Sequence, residues 1–443
     1  MPAISTSRAA AVLALLAAVA CSRTPERDVP LAGTPAVSSP EAVAHVTTLG
    51  ITGATNAAAS LAASGNQVVV VWAATVGDAT NIYAATSGDG GATFAAPVRV
   101  NNTDGDARLS GDQGPRVAIG REMLVAWESK LTGTSRIRLA RSSDNGRTFK
   151  PAETLHAEAL PGTRGWASVA ADGSGLVQAA WLDGRNANHD APMAHDHAAP
   201  AAGHDHSMEQ DLFHLTARPD GTRVESLIAR NVCFCCKTGV AGGPDDAMYV
   251  AWRHVYPTNF RDIAVAHSTD EGRAWSAPVR VSEDHWQIDA CPEDGPSIGV
   301  GDHGVVHLVW PTTLAPAFER KAIFYSFSTD GGKTFAGRTR LDEGDATVRV
   351  AAHPQLVVSA GRVVVTWDED TASGRRIRLR EIDTAGQSPV PAATVTVVSA
   401  ADGPARPAVA MSGDAIVLGW SVRLAAGSMI RVQTVPSPAP KTR

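Results

Sequence analysis

Two stretches of the sequence carry side chains suited to metal ligation or thiol chemistry. The segment 189–208 holds His189, His195, His197, His204 and His206, five of the 14 histidines, interleaved with Asp190, Asp196, Asp205, Met193 and Met208. Imidazole, carboxylate and thioether together suit copper or zinc, and His-x-His pairs with Asp also suit nickel. The same composition is equally that of a solvated low-complexity insertion. The second stretch is Cys233-Phe234-Cys235-Cys236, with Cys291 further on. Four thiols in an oxidising compartment tend to pair, in any of three connectivities. A bond from Cys233 or Cys236 to Cys291 would staple two loops. One between Cys235 and Cys236 would be strained and redox-labile. The third option is that the thiolates join the imidazoles as metal ligands, and copper is the favoured ion.

The N-terminus bears on which compartment applies. Arg8 precedes the apolar run Ala9–Ala20, which is too short for a comfortable membrane span and reads as a signal sequence. The run ends Ala18-Val19-Ala20-Cys21 and resembles a lipobox, which implies cleavage before Cys21 and acylation of its thiol. Ser22 in place of Asp implies, by the same resemblance, the outer membrane facing the periplasm. Residues 22–40 are rich in Pro, Ser and charge and read as a tether. The net charge of -6 gives no footprint for nucleic acid.

The elements that must position the thiols and imidazoles announce themselves by repetition. An apolar run ending in Trp recurs at Trp72, Trp127, Trp181, Trp252, Trp310, Trp367 and Trp420, at spacings of 55, 54, 71, 58, 57 and 53 residues. Each unit contains four short strand patterns with turn residues between them, the make-up of a propeller blade. The long spacing contains the His-rich insertion. Four units also carry the pattern Ser-x-Asp-x-Gly-x-x-aromatic: Ser87 to Phe94, Ser142 to Phe149, Ser268 to Trp275 and Ser328 to Phe335. Asp89, Asp144, Asp270 and Asp330 are expected to accept turn amides, with the Gly at positive φ and the aromatic packed between sheets. The sequence predicts an all-β chain with one β-propeller over 41–437. Seven blades are favoured over six, and a strand from 42–48 closes the last one, because an open edge would invite pairing.

These boxes resemble Asp boxes, the bacterial neuraminidase repeat of sialidase-like propellers. The resemblance implies a site on the face opposite the boxes, where the His-rich loop, the Cys cluster, Cys291 and the loop 253–262 all fall. It also implies three carboxylate-clamping arginines and a late tyrosine nucleophile. No Arg-Ile-Pro motif stands in the first unit. The nearest match, Arg116 after Pro115, opens the second unit, and no tyrosine follows Tyr325. Candidates for glycosidase chemistry are Arg185, Arg253, Arg261 and Tyr256, with Asp183 and Asp262 as carboxylates able to neutralise the arginines. The reading favoured from sequence is an envelope-anchored, monomeric metal-binding propeller. A sialidase-like glycosidase or glycan-binding propeller and a protein scaffold are the alternatives.

Overall fold

The computed structural model describes residues 46–435 except 131–133, 158–161, 187–209, 288–292, 314–319, 343–344, 385–387, 393–395 and 426. The signal sequence with Cys21, the tether, the His-rich insertion and Cys291 lie outside the described residues. Regular structure among the described residues is β-strand, paired antiparallel but for one bridge, apart from two short 3-10 turns at Pro257–Asn259 and Asp302–Gly304.

The strands form four-stranded sets in chain order. The first is Thr55–Ser64, Gln67–Val76, Ala79–Ser87 and Val98–Arg99. The second is Arg116–Ile119, Met123–Ser129, Arg136–Ser142 and Glu153–Thr154. The third is Arg164–Ala171, Val177–Asp183, Gln210–Ala217 and Arg223–Val232. The fourth is Gly239–Gly242, Met248–Arg253, Ile263–Ser268 and Val279–Arg280. A nine-stranded sheet follows. It contains a fifth set, Ser297–Val300, Val306–Thr313, Lys321–Ser328 and Thr339–Arg340. Its remaining strands, a sixth set, are Val348–Ser359, Arg362–Thr371 and Gly374–Asp383, the last pairing with both Val390–Pro391 and Thr396–Ser399. One parallel bridge, Lys321 to Val350, joins the two halves. The last set, Ala405–Ser412, Ala415–Leu424 and Gly427–Val435, takes its fourth strand from the other end of the chain. Val46–Leu49 pairs there antiparallel, Val46 opposite Gln433 and Leu49 opposite Ile430. The closing strand was expected over 42–48, and its described part lies at 46–49. These four-stranded sets have the form of propeller blades.

The Trp-terminated strand is the second of each set, and its Trp packs on the set before it. Trp127 shares an apolar cluster with Val69, Val71 and Ala84, and Trp181 with Leu124, Ala126 and Leu139. Trp252 packs with Ala180 and Leu212, Trp310 with Ala251 and Val265, Trp367 with Val309 and Ile323, and Trp420 with Val364 and Leu379. Trp72 meets Ala408, Val417 and Ile430 of the last set. An indole buried this deeply needs its N–H satisfied. Six of the seven donate to a polar side chain: Asn56, Asp106, Asp183, His254, Asp284 and Glu369 in order from Trp72 to Trp367.

The four Ser-x-Asp-x-Gly turns share one geometry. The Gly91 amide donates to Ser87 Oγ at 2.8 Å, and the Thr93 amide and hydroxyl donate to Asp89 at 2.9 and 2.6 Å. Asp144 and Asp330 repeat the same bonds, while Ala274 leaves Asp270 with the amide alone. Gly91, Gly146, Gly272 and Gly332 sit at φ between 79° and 92°, a region open to Gly without strain. Phe94, Phe149, Trp275 and Phe335 pack into the inter-sheet clusters, as expected. The third unit keeps only a tight turn, in which the Thr222 amide donates to Asp220 Oδ1 at 2.8 Å.

Two outcomes follow. Trp181→Ala is expected to destabilise the fold by about 3–5 kcal/mol in denaturant titration, because no solvent reaches the indole and the cavity cannot collapse between two sheets. Hydrogen bonds from Thr148 and Thr334 hold Asp144 and Asp330 at about 2, against 3.8 for a free side chain. A carboxylate depressed in the folded state stabilises above its unfolded pKa and loses that contribution as pH falls through the folded one. The thermal midpoint should therefore fall between about pH 4 and about pH 2, and Asp144→Asn with Asp330→Asn should flatten that slope.

Candidate functional site

The opening strands of several sets begin at one shared cavity of about 30 Å³. Ala58, Asp112, Arg116, Lys237, His353 and Arg406 line it, drawn from the first, second, fourth, sixth and seventh sets or the loops just before them. The backbone is specialised here. Ala58, His353 and Arg406 adopt φ of 57°, 55° and 53°, each at a register shift in its opening strand. A left-handed non-Gly residue is costly and persists only where its surroundings fix it. The cost is met by carboxylates: the His353 amide donates to Asp294 Oδ2 and the Arg406 amide to Asp368 Oδ2, both at 2.7 Å.

Charges converge on the same point. His353 Nδ1 lies 2.9 Å from both Asp368 oxygens, and its Nε2 lies 3.5 Å from Asp112. Burial alone would lower the pKa of His353, but Asp368 and Asp112 reverse this and hold it above the ordinary value, favouring imidazolium. Arg406 Nε reaches Asp112 at 2.8 Å, and Arg116 donates to the Asp112 carbonyl. Lys321 contacts Asp294 at 3.0 Å, and Lys237 stands 4.0 Å from it while donating to the Pro354 carbonyl. Burial pulls the Lys237 ammonium down, and Lys321, His353 and Lys237 overcome burial to keep Asp294 ionised. Five cationic side chains thus surround Asp112, Asp294 and Asp368, with Glu293 a further acid against Gly111.

Beside this cluster, and immediately before Lys237, lies the cysteine turn. Cys233, Cys235 and Cys236 are buried free thiols whose sulfurs all lie within 4.8 Å of one another, Cys233 and Cys236 being 3.3 Å apart. Of the pairings the sequence left open, a bond between Cys235 and Cys236 is not formed, and one to Cys291 involves a residue outside the described ones. Hydrogen bonds from the Cys235 and Cys236 thiols make Cys233 the most acidic of the three. The same contacts push Cys235 up, and burial with the Cys233 charge pushes Cys236 up. Trp166, Phe234 and Val255 wall the turn.

The other residues named from sequence fall around the thiol turn and on the third set. Arg185 is held by Asp183 and Glu225 and lies 4.0 Å over the Phe213 ring. Arg253 is buried, stacks on Trp286 at 4.3 Å and donates to the carbonyls of Arg261, Asp294 and Pro311. Arg261 approaches Cys233 Sγ at 3.7 Å. Asp262 neutralises neither of these two arginines, because Arg280 takes its carboxylate. Tyr256 lies under Arg280 with its hydroxyl buried, and burial raises its pKa. Sequence reasoning missed Asp112, Lys237, Asp294, Lys321, His353, Asp368 and Arg406. The available signal was a polar or charged residue next to proline where a unit opens: Pro115-Arg116, His353-Pro354, Arg406-Pro407.

The cluster has no slack at Gly295. A Cβ there would stand 2.1 Å from the Lys237 carbonyl, and backbone cannot rotate away. Gly295→Ala is expected to cost about 1–3 kcal/mol by chemical denaturation, the range of an overpacked core position.

No family model matches the chain, and no curated protein matches its sequence. Solved structures do match. An ulvan lyase described as a new polysaccharide lyase family, PL25, aligns over 88% of this chain and 96% of its own at 11% identity, with a TM-score of 0.54. Polysaccharide lyase Uly1 aligns over 88% and 92% at 10% identity, with a TM-score of 0.51. The phage phi92 endosialidase aligns over 90% of this chain and 70% of its own at 10% identity, with a TM-score of 0.48. At the identities of the two lyases the likeness is one of fold, and it agrees with a β-propeller built from the four-stranded sets.

Proposed function

We propose that the mature protein is a seven-bladed Asp-box propeller, lipid-anchored at Cys21 in the cell envelope, that binds acidic glycans at the shared charge cluster. One observation carries the reading: four cationic side chains, Arg116, Lys237, His353 and Arg406, line a single cavity to which Asp112 is the one lining carboxylate. In a partly dry site an unbalanced positive charge attracts an anion strongly. The cavity of about 30 Å³ has room for roughly two or three waters, so it takes the carboxylate of a sugar and leaves the ring across the face. The fold neighbours that act on polysaccharides support a saccharide as the carrier of that acid. Seven inter-sheet apolar clusters, the first joined to the last set, support seven blades over six.

Binding rather than sialidase turnover is the reading. A retaining sialidase needs an activated tyrosine. Burial raises the pKa of Tyr256, the wrong direction for a nucleophile. A scaffold role has less support. The large apolar side chains exposed among the described residues are Val46, Val76 and Val390, which lie on three different sheets.

Calorimetric titration of the full chain with trigalacturonate and with neutral cellotriose tests the proposal. Trigalacturonate should bind, cellotriose should not, and Arg406→Gln or Arg116→Gln should weaken trigalacturonate at least tenfold. Equal affinity for the two sugars, or for wild type and both variants, would overturn it.

A further inference from the structure

We propose that Cys233, Cys235 and Cys236 form a three-thiolate site for Cu(I), independent of any glycan bound nearby. Three arguments converge. The first is geometry. A metal bonded to three sulfurs at about 2.3 Å in a plane sets them about 4.0 Å apart. The three sulfurs already lie within 4.8 Å of one another, so closing on an ion needs only small side-chain rotations. The backbone at both ends is anchored. The Cys233 amide donates to the Arg253 carbonyl at 3.0 Å, and the Thr238 amide, two residues after Cys236, donates to the Trp166 carbonyl at 3.3 Å.

The second argument is charge. Arg253 is 1% exposed, and its partners among the described residues are carbonyls and an indole face. Arg261 donates to Asn259 and to Cys233 Sγ. Neither makes an ion pair with a carboxylate among the described residues. A buried guanidinium without a counter-charge is strongly disfavoured. Three thiolates around a monovalent ion leave two negative charges, and these two arginines match them. Neutral thiols would leave the buried Arg253 guanidinium without a counter-charge among the described residues.

The third argument is donor chemistry. Soft thiolates in an apolar shell of Trp166, Phe234 and Val255 select a soft ion. Zinc requires four ligands, and the cluster formed by the described residues supplies three. Binding involves no change of oxidation state: each thiol gives up its proton to solvent as its sulfur bonds the ion.

The test uses the reduced full chain, titrated anaerobically with Cu(I) in competition with bathocuproine disulfonate. The same titration is run on a variant with His189, His195, His197, His204 and His206 changed to Ala, and on Cys235→Ser. The expected result is one chelator-resistant Cu(I) per chain, retained by the His variant and weakened at least 100-fold by Cys235→Ser. In wild type, Cu(I) should also block iodoacetamide labelling of all three cysteines in peptide mapping. This readout stands even if the Ser variant fails to fold. Copper that leaves with the histidines, unblocked labelling, or a Cys233–Cys236 disulfide in freshly isolated chain would each overturn the proposal. None of these results depends on whether trigalacturonate binds.

Discussion

The packing of one indole per set against the preceding sheet is the constraint on which everything else rests. A four-stranded sheet cannot stand alone with an apolar face. Here each sheet covers its predecessor, and the Trp at the end of the second strand is the largest piece of that cover. Trp72 has no earlier set to cover, so it packs on the last one. Because the indole N–H must be satisfied, a polar residue stands beside six of the seven tryptophans, all fully or largely buried. The polar partners vary while the tryptophan does not, which separates the residue that packs from the residue that merely completes its hydrogen bonding.

Repetition also creates the site. The opening segments of several sets face one common cavity, so single unusual residues at those openings become a cluster. No two of Arg116, Lys237, His353 and Arg406 are neighbours in the chain, yet all line the same space. The left-handed turns at His353 and Arg406 aim amides at Asp294 and Asp368. Carboxylates there thus serve both backbone and side chains.

This explains what was legible in the sequence. The tryptophan spacing was legible by its repetition, and the four Asp turns because they act within about eight residues. The closing strand was legible because the last unit lacked one. The thiol turn was visible as a motif, whereas the approach of Arg261 to Cys233 Sγ depends on the folded arrangement. The charge cluster was the hardest to see. Arg116 stood out next to Pro115, but reading it as an ordinary strand opening hid its meaning, since the openings are what meet. Asp112 and Asp294 lie in loops with no pattern of their own. Only the folded arrangement brings them to His353.

The pairing of Val46–Leu49 with Gly427–Val435 has a kinetic consequence. The strand that completes the last sheet precedes the first sheet in the chain, while its partner belongs to the last. Contacts spanning nearly the whole chain form late, since the loop-closure entropy must be met before they can stabilise anything. Until residues near Gln433 are available, Trp72 has no surface to cover it and the first sheet stays half exposed. Such an intermediate is prone to aggregation.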